Sequence, residues 1–299
     1  MDGIIVINKP EGFTSFDVIA KLRKKLEQKK IGHMGTLDPI ATGVLPILFG
    51  ETAKFQQFVN NNQKRYLATI QFGIETDTLD ITGKILNKSE KKITPNELEE
   101  TVKSFCGQIN QIPPMFSAIK INGQKLYDLA RQGVEIDRES RQVFIDEIKI
   151  IEFNEAERTA ILDIKCSKGT YIRTLCYDIG QKLGCGATVT KLHRTLSNGF
   201  DISKSITLEA LLNLDIETIK LNHTLPTETL FGENMAINIT PNQAKRFLNG
   251  GELSLERMSA TWKNGEIYKV ICNNVFVGVG IADLNKNSLK IGKCLHSKF

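Results

Sequence analysis

The sequence predicts a mixed α+β domain followed by a compact β-rich tail. Three observations carry this. Strand and helix patterns alternate through the first 220 or so residues. Long charged loops separate them. Past about residue 222 the texture changes to short, closely spaced strand candidates around one helix.

Residues 3–7, GIIVI, form a buried strand, stopped by Asn8-Lys9-Pro10. Ser15 is expected to cap a helix over 16–26, where Phe16, Ile19, Leu22 and Leu26 share one stripe. Residues 32–43, GHMGTLDPIATG, have no period, and their glycines and proline describe a shaped loop. The apolar run 44–49 reads as a strand despite Pro46, and 51–58 as a helix. Tyr66, Ala68, Ile70 and Phe72 alternate with Leu67, Thr69 and Gln71, which predicts a strand with one buried face. Thr94-Pro95 opens a helix to about Phe105, with Glu97 completing a capping box. Asn122-Gly123 signals a tight turn, 125–131 a short helix, and 143–151 and 160–166 two strands. Apolar spacing over 171–182 predicts a helix, and alternation over 189–196 a strand. A short helix at 207–214 precedes a linker around Thr224-Leu225-Pro226, then strands at 235–239, 268–272 and 275–281 and a helix at 241–248. The domains are therefore expected at 1–228 and 229–299, with 120–152, charged and turn-rich, as a mobile insertion.

The 299 residues carry a net charge of +5, which permits a polyanionic partner without demanding one. Six cysteines lack any CxxC pair, and His33, His193, His223 and His296 are dispersed, so no structural metal site is expected. The N-terminus lacks the features of a signal peptide, and no apolar run is long enough to span a bilayer; a cytoplasmic protein is expected. Neither GxxxxGK[ST] nor GxGxxG occurs, so no nucleotide cofactor is expected.

Chemistry is sought first in the 32–43 loop. Asp38 stands before Pro39, which biases it toward extended geometry, on a glycine-bounded loop suited to a nucleophile or base. The competing reading is an Asx turn. His33 reads as a base-stacking ring or an ordinary loop histidine, and Tyr66 as a stacking or proton-relay group or plain core. Asp77 and Asp80 are candidates to orient a cation, or are solvated turn carboxylates. Arg173 sits near a helix N-terminus, where a cation is disfavoured, so it suggests an acidic partner such as a bidentate contact to Asp38, with a surface arginine as the alternative. Lys9, Lys64, Arg65, Lys120, Lys125, Arg131, Arg138, Arg141, Lys168, Lys191 and Arg194 interleave with aromatic and glycine-rich turns, a pattern suited to RNA backbone contacts or to a solvated face.

The segment GHMGTLDPIATGVLPILFGETAK (32–54) closely resembles the catalytic motif of the bacterial TruB family of tRNA pseudouridine synthases. The resemblance continues, in the family's order, through NKPEGFTS (8–15), KRYLATIQFGIETDTLDITG (64–83), QIPPMFSAIKINGQKLYDLARQG (111–133) and CSKGTYIRTLCYDIG (166–180). It implies a mixed, largely antiparallel sheet of the pseudouridine synthase type with a small PUA-like C-terminal domain. It also implies conversion of uridine 55 in the T-loop of tRNA to pseudouridine, with no cofactor and no metal; tRNA, and not DNA or a membrane, is the expected partner, and a monomer the expected state. It places the catalytic aspartate on Asp38, the tyrosine on Tyr66 and the arginine on Arg173. His33 would brace the flipped nucleotide, Asp80 would orient Arg173, and Tyr171 and Leu192 would line the pocket. Lys9 would lie near the loop scaffold, with Lys64, Arg65, Lys120 and Arg194 as further substrate contacts. The sequence departs from the pattern at His193, where relatives carry a second arginine. Two rival readings are a tRNA-binding or folding chaperone without essential catalysis, and a pseudouridine synthase acting on another RNA.

Overall fold

The computed structural model describes residues 1–61, 63–117, 119–121 and 123–295; Asn122 and His296, named above, lie outside them. The main sheet has ten strands. In spatial order its path runs Ile206–Thr207, Gly3–Lys9, Ala41–Phe49, Ala187–Ser197, Lys64–Phe72, Thr159–Cys166, Arg141–Asn154 and Gly107–Gln111. Ile31–His33 and Phe200–Asp201 pair off this path. Two pairings are parallel, Gly3–Lys9 with Ile206–Thr207 and Ala187–Ser197 with Ala41–Phe49, and the rest are antiparallel. The mixed, largely antiparallel sheet expected from the resemblance is the one found.

Side-chain alternation gives each face its own core. Ile5, Ile7, Leu45, Ile47, Tyr66, Ala68 and Ile70 face one way and pack under the helices Ser15–Leu26, Pro95–Lys103 and Ile172–Leu183. Ile4, Val6, Val44 and Leu48 face the other way, onto Phe55, Phe231, Phe276 and Val279. Phe276 and Val279 belong to the C-terminal five-stranded sheet, ordered Ala236–Asn238, Ile267–Cys272, Val275–Asp283, Ser288–Cys294 and Leu253–Ser254. Helix Pro241–Leu248 closes that unit's own core, with Ala244 and Phe247 in one cluster with Tyr268 and Val270. Among the described residues no helix is long and apolar enough to cross a membrane.

Several local expectations change. Thr14, not Ser15, caps the first helix: its hydroxyl accepts from Asp17 N, and the Asp17 carboxylate accepts from Thr14 N. Pro46 is tolerated inside Ala41–Phe49 because it sits one residue beyond the ladder to Ile31–His33, where its carbonyl accepts from Met34 N at 2.9 Å. Residues 50–58 form a 3-10 helix. A helix at Ile216–Asn222 and a strand at Ser288–Cys294 carry weak patterns that sequence reading passed over. The segment 120–152 is not one insertion. Its second part belongs to the Arg141–Asn154 strand, paired on both sides within the main sheet. What remains outside that sheet is the Lys120–Lys125 hairpin, in which Ile121 pairs with Gln124, the short helix Leu126–Arg131, and the stretch that follows it.

Candidate active site

Asp38 stands on the turn between Ile31–His33 and Ala41–Phe49, and the residues around it hold that turn from three directions. Ser15 Oγ accepts from Leu37 N at 2.9 Å and donates to Leu37 O at 3.3 Å. Gly12 N donates to Pro39 O at 2.8 Å, and Lys9 Nζ reaches the same carbonyl at 3.4 Å while bonding Pro10 O and Phe13 O. The Arg194 guanidinium bonds Val44 O at 2.8 Å, Gly35 O at 3.0 Å and Thr36 O at 3.3 Å. The block NKPEGFTS is therefore the cradle of the Asp38 turn. Gly43 is required there: its φ is +101°, and a Cβ would collide with the Arg194 backbone.

Arg173, in the first turn of helix Ile172–Leu183 and 4% exposed, places Nε 2.9 Å from Asp38 Oδ2. The Nε–H is not aligned along that line, so the contact is ionic and not the bidentate fork expected. The rest of the guanidinium is spread over other acceptors. Nη1 meets Thr78 O at 2.7 Å and Asp80 Oδ2 at 3.4 Å, and Nη2 meets Phe116 O at 2.7 Å. Two carboxylates and two carbonyls thus offset the cost of a buried cation at a helix N-terminus. Asp80 is 5% exposed and is fixed by Thr78 Oγ1 at 2.9 Å, Thr82 N at 3.0 Å and Thr82 Oγ1 at 2.5 Å. Asp38, by contrast, keeps 36% of its side chain exposed, open to a substrate.

Two phenols, Tyr66 and Tyr171, lie near this pair. Tyr66 is buried, in register with Arg194; burial raises its pKa and Arg194 pulls it back. Tyr171 is half-buried, and Gln111 clamps its backbone, Oε1 accepting from Tyr171 N at 2.7 Å and Nε2 donating to Tyr171 O at 3.0 Å. Burial raises the Tyr171 pKa, with the Arg141 and Arg173 charges opposing. His33 is half-buried, and its Nδ1 is buried without a partner. Burial first, and Arg194 second, lower its pKa, which keeps the ring neutral at pH 7. Leu192 lies in the same core cluster as Leu37 and Tyr66.

Beside the turn opens a cleft of about 900 Å³, sharing Gly35 and Tyr171 with the site's surroundings though Asp38 is not part of its wall. Lys54, Lys64, Arg141 and Lys168 line it, and among the described residues no carboxylate does. Such a wall suits a phosphate backbone. Burial, with Arg194 and Lys168 adding to it, pushes the Lys64 ammonium down to about 8.

The structure separates the basic candidates. Lys9 and Arg194 are fully buried with their donors on loop carbonyls, so neither can meet a phosphate; they brace the Asp38 turn instead. Arg65 points to the opposite sheet face from Tyr66 and forms a two-point pair with Asp163, at 2.8 and 2.6 Å. Lys120 stands apart, beside a second depression that it shares with Asp128 and Arg131. Sequence reasoning missed Ser15 as a loop brace, Gln111 as a clamp and Lys54 as a cleft residue. No local pattern distinguishes these three before the turn, the strand and the 3-10 helix are brought together.

Residues 23–172 match the family model described as TruB family pseudouridylate synthase (N terminal domain), and residues 173–231 match that of the tRNA pseudouridylate synthase B C-terminal domain. The chain belongs to the TruB family of pseudouridylate synthases. Proteins named tRNA pseudouridine synthase B resemble it along its length. That of Alkaliphilus oremlandii is 46% identical, covering 100% of both chains. That of Clostridium kluyveri is 42% identical over 94% of this chain and 96% of its own. As a TruB-family member the chain is an enzyme, an isomerase. Its fold is shared by a chain of an H/ACA RNP bound to a substrate RNA containing 2′-deoxyuridine, with TM-score 0.75 and 22% identity, covering 99% of this chain and 85% of that one. A chain of a Cbf5-Nop10-Gar1 complex aligns with TM-score 0.76 and 24% identity, covering 98% and 84%.

Proposed function

We propose that this TruB-family enzyme converts uridine to pseudouridine at position 55 in the T-loop of tRNA, with Asp38 as the reacting carboxylate. The observation that carries the reading is the ion pair between exposed Asp38 and buried Arg173, beside a cleft lined by cations. The motif blocks and the relatives named tRNA pseudouridine synthase B support the choice of RNA and position.

The reaction breaks the C1′–N1 bond and makes a C1′–C5 bond. It has no net redox change and no group donor, so positioning and electrostatics suffice. The target nucleotide would be flipped out of its loop at a cost of a few kcal/mol. The cleft cations would hold the backbone, with neutral His33 bracing the extruded nucleotide and Tyr66, Tyr171 and Leu192 bounding the base. Attack at C1′, proton abstraction at C2′ and addition at C6 all require a carboxylate, and the Arg173 guanidinium meets that of Asp38 at 2.9 Å. After the base turns, the C5 proton leaves, with Tyr66 a candidate to take part directly or through water. The hairpin and helix between Lys120 and Arg131 would close over the bound loop, and the C-terminal sheet would add RNA contacts as a PUA-like domain.

Mapping pseudouridine in tRNA from cells with and without the gene tests the assignment. Loss confined to position 55 is expected; an unchanged position 55 with loss in another RNA would overturn it.

Two expected results arise here. Tyr66→Phe keeps the ring and removes the hydroxyl; turnover should fall by about 10²- to 10⁴-fold, the contribution of a group that moves a proton, and full-rate turnover removes the proton role. Lys64 must be charged to hold a phosphate. With its ammonium pushed down to about 8, the charged fraction falls as pH rises through that value. Affinity for tRNA should therefore drop by about tenfold between about pH 7 and pH 9 in the wild type, and much less in Lys64→Arg, which stays charged. Equal pH dependence in the two proteins would remove Lys64 from the phosphate contacts.

A further inference from the structure

Arg194 occupies the point where the Ala41–Phe49, Ala187–Ser197 and Lys64–Phe72 strands meet, in register with Gly43 on one side and Tyr66 on the other. Its side chain is fully buried. Its three hydrogen bonds go to carbonyls that bracket Asp38 in the chain: Gly35 and Thr36 before the turn, Val44 after it. Among the described residues no carboxylate pairs with it. A buried cation met by carbonyls and the neighbouring Tyr66 phenol, with no carboxylate, is a costly way to fill space, and an apolar residue of similar volume would pack there more cheaply. Its planar fork can do what an apolar side chain cannot, which is to tie both legs of one turn to a single rigid point.

We propose that Arg194 is the positioning residue for Asp38: it fixes the 35–44 turn so that the carboxylate meets both Arg173 and the substrate sugar. This rests on the reading of Asp38 as the reacting group. Arg194 acts through the turn and touches no substrate. Lys9 and Ser15 hold the turn's outer side, at Leu37 and Pro39. Among the side chains of the described residues, Arg194 is the one that bonds carbonyls at both ends, adding to the backbone bond between Met34 and Pro46. Gly43 belongs to the same device, since any Cβ there would force the Arg194 backbone away from the turn. Burial foremost, with the field of the guanidinium beside it, holds down the pKa values of His33, Lys64 and Lys9.

The test compares wild type, Arg194→Lys and Asp38→Asn in single-turnover release of tritium from C5-labelled tRNA, with tRNA affinity and thermal unfolding measured on each. Lysine keeps the charge but not the fork. A folded Arg194→Lys is expected to lose about 10²-fold or more in the single-turnover rate, the scale of a misplacement of about 1 Å, with tRNA affinity unchanged within about threefold. A packing role alone would lower the melting temperature and leave the rate intact, which overturns the proposal. If Arg194→Lys does not fold, the decision passes to Gly43→Ala, which retains the guanidinium and displaces its backbone. The same loss of rate at intact affinity supports the proposal, and a wild-type rate overturns it. Failure of both variants to fold assigns the contact to stability and also overturns it. An inactive wild type, or an active Asp38→Asn, strikes the proposed function first and is read apart from the Arg194 result.

Discussion

Replacing Asp38 by Asn is expected to lower turnover by roughly 10⁴-fold or more, the scale seen when a reacting carboxylate or nucleophile is removed, while tRNA affinity stays within about tenfold of wild type. The separation follows from geography. The cationic wall formed by Lys54, Lys64, Arg141 and Lys168 does not include Asp38, and backbone contacts supply most of the affinity of such proteins. Asn keeps the shape of the side chain and removes its charge and basicity, so the turn held by Ser15, Gly12 and Arg194 should survive. Parallel binding and single-turnover assays check this, and comparable losses in both would point to a carboxylate that serves RNA docking instead.

Arg173→Lys is expected to cost roughly 10²- to 10³-fold in turnover, again with little change in tRNA affinity. The native guanidinium serves four acceptors at once: Asp38, Asp80, Thr78 O and Phe116 O. An ammonium has three donors on one nitrogen and cannot reach both the Asp38 and the Phe116 sides with the fork's geometry. Asp80, 5% exposed and already anchored by Thr78 and Thr82, holds its place and keeps the new cation, so Asp38 is the partner that is left weakly paired. The variant should also unfold more easily, because a buried, multiply bonded charge loses partners. A Lys variant with wild-type turnover would show that the ion pair is structural only.

Much of the fold was legible because it follows from simple periods. The buried face of Lys64–Phe72 and the apolar stripe of Ile172–Leu183 were both readable from spacing. The 32–43 segment was legible as a shaped loop but not as a turn between two strands, since Ile31–His33 is too short to show a period. The acidic partner of Arg173 was inferable from helix electrostatics, but the sharing of one guanidinium between Asp38 and Asp80 was not, because it depends on where the Thr76–Thr82 turn and Phe116 fall. Basic residues were the least legible. Lys9 and Arg194 look in sequence like Lys64 and Lys168, and only burial divides those that brace the turn from those that line the cleft.

The most direct measurement is the single-turnover rate of pseudouridine formation in position-55 tRNA by wild type, Asp38→Asn and Arg173→Lys, with tRNA affinity measured on each. Because the Arg173 guanidinium meets the Asp38 carboxylate at 2.9 Å, both substitutions should lower the rate, Asp38→Asn the more, at an affinity close to that of wild type. A wild-type rate in either variant would contradict an arginine-held Asp38 as the group that carries the chemistry.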